Sequence, residues 1–325
     1  YCHMTNTPMV SSHHVNLPEY NKKYINNKNL QDLYLYLAKK TYYEDSMKYS
    51  EFVCGPTFSS LSYFSSVKSY DKEKMKTFST GINKEKFDKN NVSIEDIFEI
   101  RKETDSHSCG LVCYAGRISK EKGLDIFIGI AKNAPKHKFI ICGHGPEEEY
   151  YKKLCKEESI NNVLFLGKKS QKELCSYYSA SDVMITPSTT ETFGFTVIES
   201  MSVGTPVLMP DVPVFRELHE DFQELFVSHE QDSKDIINQY TEKMLELISS
   251  KNKYSDRLIE HCKKYSWEQS ALDVESMYRD AIENYKPSVE KKASSLVKFM
   301  WQVPVTKAMM KLTRALFWRY IKNEE

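Results

Sequence analysis

The chain has 325 residues, 40% hydrophobic and 28% charged, an ordinary globular balance that fits about two domains at roughly 150 residues each and excludes disorder and collagen-like repeats. No run approaches the roughly 18 uninterrupted apolar residues of a membrane-spanning helix, and 45 basic against 45 acidic residues argue against a nucleic-acid partner. The even total hides a polarity: residues 286–325 carry nine Lys or Arg and three Glu, leaving 36 basic against 42 acidic residues elsewhere. In chain order, residues 9–15 and 51–56 read as strands, with helical spacing over 30–40 between them. Residues 75–80 read as a third strand ending at the turn Gly81-Ile82-Asn83, and the polar stretch 84–106 as a linker.

From residue 111 the pattern is regular. Strands are predicted at 111–114, 139–142, 163–166, 183–186 and 206–209, and helices at 124–133, 147–158, 172–179, 194–203 and from Val214. Short apolar runs alternating with helices of about ten residues imply βαβ units on a parallel sheet. Their near-continuous apolar character implies burial on both faces. Residues 108–265 are therefore expected to form a Rossmann-like unit. The region before it is short for a whole doubly wound domain and is expected to be an incomplete one. A start at Tyr1 in place of Met fits a fragment or a processed product. Residues 267–285 have helical spacing with an acidic surface, and a basic tail broken by Pro304 follows. The expected division is 1–106, 107–265 and 266–325. Eight cysteines, without a C-x-x-C pair and several in apolar runs, read as reduced and buried in a cytosolic setting, with no disulfide framework or zinc site.

Four places carry chemistry. Between Glu191 and Glu199, two carboxylates flank the turn Phe193-Gly194-Phe195 after a buried strand and at a helix start. In open α/β sheets, ligands bind beyond the strand carboxyl ends, where helix N-termini offer N–H groups to anions. Glu191 in the loop can accept from hydroxyls, Glu199 lies about two turns into the helix near the same face, and Gly194 admits close backbone approach. Without a ligand, both glutamates would merely decorate a solvated helix start. After the strand 111–114, Arg117 and Lys122 combine the planar fork and the point charge used on phosphates, or form a solvated charge run. Gly143-His144-Gly145-Pro146 is a tight turn able to lie along a nucleotide, or only a turn. A histidine of Ser12-His13-His14, at a strand end, can bond a sugar hydroxyl or a phosphate oxygen, or simply sit on the surface.

The stretches YAGRISKEKG at 114–123, GHGP at 143–146, FLG at 165–167, SDV at 181–183 and PSTTETFGFTVIESM at 187–201 resemble the nucleotide-binding half of family 4 retaining glycosyltransferases. That family has the GT-B fold, α/β with two Rossmann-like domains facing a cleft. Glu191 and Glu199 match its E-x7-E motif, SHHVNLPEY at 12–20 is similar to a stretch of sulfoquinovosyl-diacylglycerol synthases and their relatives, and GINKEKF at 81–87 resembles the interdomain hinge. The resemblance implies that Arg117 and Lys122 hold the donor diphosphate, Glu191 binds sugar hydroxyls, and the Phe193-Gly194-Phe195 backbone lies against sugar and phosphate. It also implies Glu199 on the ribose, Gly143 and Gly145 at the donor, residues 165–169 near the base, and His14 reaching the sugar from the other domain.

The reaction implied is hexose transfer from an NDP-sugar, expected to be UDP-linked, with retention. The donor is a co-substrate and no cofactor is implied. No D-x-D motif occurs, so Arg117 and Lys122 would supply the charge that a metal ion supplies elsewhere.

In the tail, Lys307, Lys311, Arg314, Trp318 and Lys322 recur at helical spacing, with Met309, Leu312 and Leu316 on another face. Such a helix suits an anionic membrane surface, or its apolar side packs on the body. The leading expectation is a cytoplasmic transferase, peripheral on a membrane and acting on a lipid. The alternatives are a UDP- or GDP-sugar transferase for a soluble glycan, a GT-B epimerase, and a truncated sugar-nucleotide-binding protein without activity.

Overall fold

The computed structural model describes residues 7–16, 21, 24–250 and 253–285. Residues 17–20 of the SHHVNLPEY stretch and the whole basic tail lie outside the described residues.

The larger unit is a six-stranded sheet built from β4 (Leu111–Ala115), β5 (Lys138–Cys142), β6 (Val163–Gly167), β7 (Val183–Ile185), β8 (Val207–Pro210) and β9 (Phe226–Val227). Its order is β6-β5-β4-β7-β8-β9, and each pairing is parallel. The order reverses between β4 and β7, so the crevice for a ligand lies outside the carboxyl ends of those two strands. Every residue of β4 is buried, as the apolar run at 111–115 requires of a central strand covered on both faces. The edge strand β6 is only half buried throughout.

Helices α4 (Leu124–Asn133), α5 (Glu148–Glu157), α6 (Gln171–Ala180), α7 (Phe195–Ser202) and α8 (Pro213–His219) alternate with these strands, close to the expected bounds. The reading of 84–106 as a plain linker needs correction. It holds α3 (Ile94–Glu103), started by a capping box in which Ser93 and Asp96 satisfy each other's backbone N–H. Ile97 and Ile100 turn toward the main core, and α3 leans on α6. Glu95, Asp96, Glu99, Arg101, Lys102 and Glu103 around those isoleucines give the stretch its polar look. Further helices α9 (Ser233–Ser249) and α10 (Ser255–Cys262) complete the unit. Gly129 on α4 lets α9 pack closely, since a Cβ there would lie 2.5 Å from Ile237.

The N-terminal unit has, among the described residues, a parallel sheet of β1 (Val10–Ser12), β2 (Phe52–Gly55) and β3 (Met75–Thr77), in that order. One face packs on Tyr43, between α1 (Lys28–Ala38) and α2 (Glu44–Tyr49), on Met47 of α2, and on Leu61 and Phe64 of the short helix Ser59–Ser66. The other face meets α11 (Trp267–Asn284), which returns from the far end of the chain: Met277 and Val274 sit on Cys54, Phe78 and Phe52. Asp273 on α11 accepts from the Ser79 N–H at 2.8 Å, and Ile82 bridges Ser266. Of the described cysteines, Cys54, Cys113, Cys142, Cys155, Cys175 and Cys262 are buried and Cys109 is half-buried, and all are unpaired.

Candidate active site

The loop after β4 carries Arg117 and Lys122, and the loop after β7 carries Glu191, so both flank the point where the strand order reverses. Together with His14 from the N-terminal unit and Phe195 from the start of α7, they line a cleft of about 420 Å³. Lys122 Nζ donates to Glu191 Oε1 at 2.6 Å, with side-chain exposures of 24% and 20%. At that burial the pair is shielded from much of the screening that weakens surface ion pairs. His14 Nε2 lies 2.8 Å from Ser12 Oγ, and its carbonyl accepts from Thr192 Oγ1 at 2.9 Å. Helices α4 and α7 both start at this rim on a left-handed glycine, Gly123 or Gly194, with no side-chain cap. Their first-turn N–H groups and dipoles favour an anion in front of them.

The loop conformations follow from close packing. Tyr114 Oη, buried under the loop, donates to the Arg117 carbonyl at 2.9 Å. Its phenol is held well above the ordinary range by burial and by the Glu191 and Glu121 carboxylates. Gly143 and Gly145 stand behind the cleft and not on its wall. A Cβ on Gly143 would lie 1.8 Å from the Gly116 carbonyl oxygen, and one on Gly145 would lie 2.2 Å from that of Ile118. Their lack of side chains lets the loop after β5 run against residues 116–118, where Gly116 N–H donates to Cys142 at 3.0 Å and Ile118 N–H to His144 at 3.2 Å. The structure thus gives both glycines a part in shaping the Arg117 loop.

Two other expected residues are buried. Phe193 packs on Phe195 and Tyr265, at 5.1 and 5.6 Å between ring centres, and leaves Phe195 to face the cleft. Glu199 is the fifth residue of α7, a little over one turn in, and accepts from Tyr178 Oη at 3.2 Å. Burial pushes its carboxyl up to about 7, against the pull of that hydroxyl.

Glu121 was not singled out by sequence, where it is one more charge in a lysine-rich run. It is buried, lines the cleft, and accepts from Ser119 Oγ at 2.7 Å and from the Tyr24 hydroxyl of the N-terminal unit. Burial alone would raise its carboxyl. The Tyr24 and Ser119 hydroxyls, its own N–H and the Arg117 charge together hold it below the usual range. A wider cavity of about 520 Å³ opens at the amino ends of β7 and β8, lined by Lys89, Arg101, Asp182 and Thr205 among others. Ligands of open α/β sheets sit at the opposite edge, and Arg101 there is committed to Asp182 at 2.9 Å. Size does not identify the site here. Among the described residues, no three His, Cys, Asp or Glu side chains are grouped to hold a metal ion, and no helix is long and apolar enough to cross a membrane.

The family described as glycosyl transferases group 1 matches residues 96–279, more than half of the chain. The chain is 27% identical over 222 residues to alpha-monoglucosyldiacylglycerol synthase of Acholeplasma laidlawii, covering 66% of this chain and 54% of that protein. It is 35% identical over 98 residues to sulfoquinovosyl transferase SQD2 of Arabidopsis thaliana, covering 30% of this chain and 19% of that protein. The chain spans about half the length of the curated relatives it matches. The crystal structure of Anabaena HepE in complex with UDP and glucose superposes with a TM-score of 0.65 at 20% identity, covering 84% of this chain and 72% of that one. At that identity the likeness establishes the fold, which is GT-B.

Proposed function

The chain belongs to the glycosyl transferases group 1 family, and on that premise we propose that it moves a hexose from a nucleoside-diphosphate sugar to an acceptor, with retention and without a metal cofactor. The observation that carries the reading is the convergence of Arg117, Lys122, Glu191 and His14 on one cleft from three loops of two units. An arriving diphosphate competes with Glu191 for Lys122, and Arg117 and the uncapped helix starts add to its hold. Glu191, relieved of its lysine, accepts from the sugar hydroxyls, and His14 meets the sugar from the opposite side. The bond from the anomeric carbon to the diphosphate oxygen then breaks with its electron pair going to phosphate. The acceptor oxygen bonds on the same face, and its proton passes to the departing phosphate oxygen. Fixed cations matter most at that step, where negative charge develops.

A UDP-linked donor is favoured by the HepE complex, which holds UDP and glucose. A lipid acceptor is favoured by the relative named for synthesis of a glucosyldiacylglycerol, and we place the reaction at a cytoplasmic membrane face. The test is a thermal-shift panel of UDP- and GDP-sugars followed by donor hydrolysis, since a ligand bound only by the folded state raises apparent stability. The expected result is a shift with a UDP-hexose, and hydrolysis that persists in chelator. Silence across the panel, or equal rates in wild type, Arg117→Ala and Glu191→Ala, rejects the reading. For the membrane part, flotation of wild type and of Lys307, Lys311 and Arg314 changed to Glu should differ on anionic vesicles, and equal binding discards it.

A further inference from the structure

A row of hydrogen bonds closes one side of the cleft, and its centre is the residue next to Glu191. Thr192 Oγ1 donates to the carbonyl of His14 at 2.9 Å, while the Thr192 carbonyl accepts from Thr57 Oγ1 at 3.2 Å. His14 follows β1 and Thr57 follows β2, so Thr192 is tied to the carboxyl ends of two adjacent strands of the smaller sheet. Beyond it, Glu217 on α8 accepts from the N–H groups of Phe58 and Ser59 at 2.7 and 2.8 Å. Those groups open the Ser59–Ser66 helix, where first-turn donors lack partners inside the helix and a carboxylate is favoured. Thr57 itself caps the same helix, accepting from Ser60 N–H at 3.0 Å.

We propose that Thr192 is a positioning residue that sets His14 against Glu191 across the cleft, and that Glu217 is the latch holding the two units in that register. The proposal rests on the cleft taking a sugar-nucleotide. The geometry gives Thr192 two separate jobs: its hydroxyl fixes the height of the His14 loop, and its carbonyl receives the second strand end. Because it is bonded to Glu191 through the chain, any displacement of the smaller unit is felt at the carboxylate. Glu217 can hold the units but not set the fine position, since it grips a helix end one strand away from His14. The bonds from Ser79 to Asp273 and to the Lys264 carbonyl tie the smaller unit to the start of α11 and the chain before it. Loss of the Thr192 hydroxyl therefore leaves the units joined and their alignment slack.

The test compares donor hydrolysis by wild type, Thr192→Val, Thr192→Ser and Glu217→Ala, with UDP-glucose as probe. Valine keeps the shape and removes the donor, while serine keeps the donor. Thr192→Val is expected to lower kcat by up to roughly tenfold, the ceiling set by losing the His14 contact itself, with the donor KM within about twofold. Thr192→Ser is expected to restore most of kcat, and Glu217→Ala to fall between serine and valine. A Thr192→Val enzyme with wild-type kcat overturns the inference, as does an equal loss in the serine variant or a loss confined to KM. Wild type inert toward every donor overturns the functional reading, and the inference with it. An active wild type with indifferent variants overturns the inference alone.

Discussion

The two units that face the cleft are built unequally, and the difference explains what each contributes. The larger one has a six-stranded sheet whose central strand is wholly buried, and its loops are shaped by backbone packed on backbone, as at Gly143 and Gly116. The smaller one has three described strands and takes cover on one face from a helix at the opposite end of the sequence. On the proposed function, the charges that would hold the donor diphosphate, Arg117 and Lys122, stand on the first. The second supplies His14 and is registered by a few side-chain hydrogen bonds.

Four results would break or sharpen that contrast. The largest is catalytic: Arg117→Ala should cut donor hydrolysis roughly 10³-fold, whereas His14→Ala should cost roughly tenfold, the scale of one neutral hydrogen bond. Comparable losses would mean that the smaller unit shares the electrostatic work.

Next comes packing. Gly143→Ala places a Cβ 1.8 Å from a backbone oxygen, while at Gly55 in β2 the nearest atoms are the His13 carbonyl oxygen at 2.8 Å and a terminal methyl of Leu61 at 2.9 Å. Urea denaturation should show a loss of roughly 3–5 kcal/mol for the first and about 1–2 kcal/mol for the second. Equal losses would contradict the difference in rigidity.

The third and fourth concern buried groups with opposite pH slopes. Burial raises Glu199 from 4.5 to about 7, so the stability tied to its neutral form is present below 4.5 and lost as pH rises through 7. Glu199→Gln should gain up to about 3 kcal/mol over wild type at pH 8 and nothing at pH 4. In the smaller unit, His13 is buried against Tyr42, Tyr43 and Phe64 with neither ring nitrogen hydrogen-bonded. Burial, then the neighbouring His14, lower it from 6.5 to about 4, so stability present above 6.5 is lost as pH falls through 4. His13→Phe should remove about 2 kcal/mol of that acid-side loss. Thermal melts between pH 4 and pH 8 check both, and slopes of the same sign in the two variants would refute the assignment.

The same inequality decides what could be read from sequence. Strands β4 and β5 are covered on both faces, so they appear as unbroken apolar runs, and the helix between them, α4, has the bounds its spacing predicts. Helix α3 was missed because its apolar residues are spaced among charges, although Ser93 and Asp96 form a capping box visible in the letters. Helix α9 is legible in the spacing of Ile236, Tyr240, Met244 and Leu247, which fall on one buried face, but the charged and polar residues between them mask it. At the cleft, Arg117, Lys122, Glu191 and His14 stood out through residue type at strand ends. Glu121 and Thr192 did not, because their importance comes from Tyr24 and His14, residues of the other unit and far away in the chain. Nor does sequence show that Gly143 faces a backbone oxygen and not the cleft. That depends on how two loops lie together.

The central claim is that the donor sits at the switch point between β4 and β7 and not in the wider cavity at the opposite edge. Calorimetric titration of UDP-glucose into wild type, Arg117→Ala and Lys89→Ala tests it directly. Binding abolished by Arg117→Ala and untouched by Lys89→Ala is the predicted result. Binding that survives Arg117→Ala and disappears with Lys89→Ala would contradict the account.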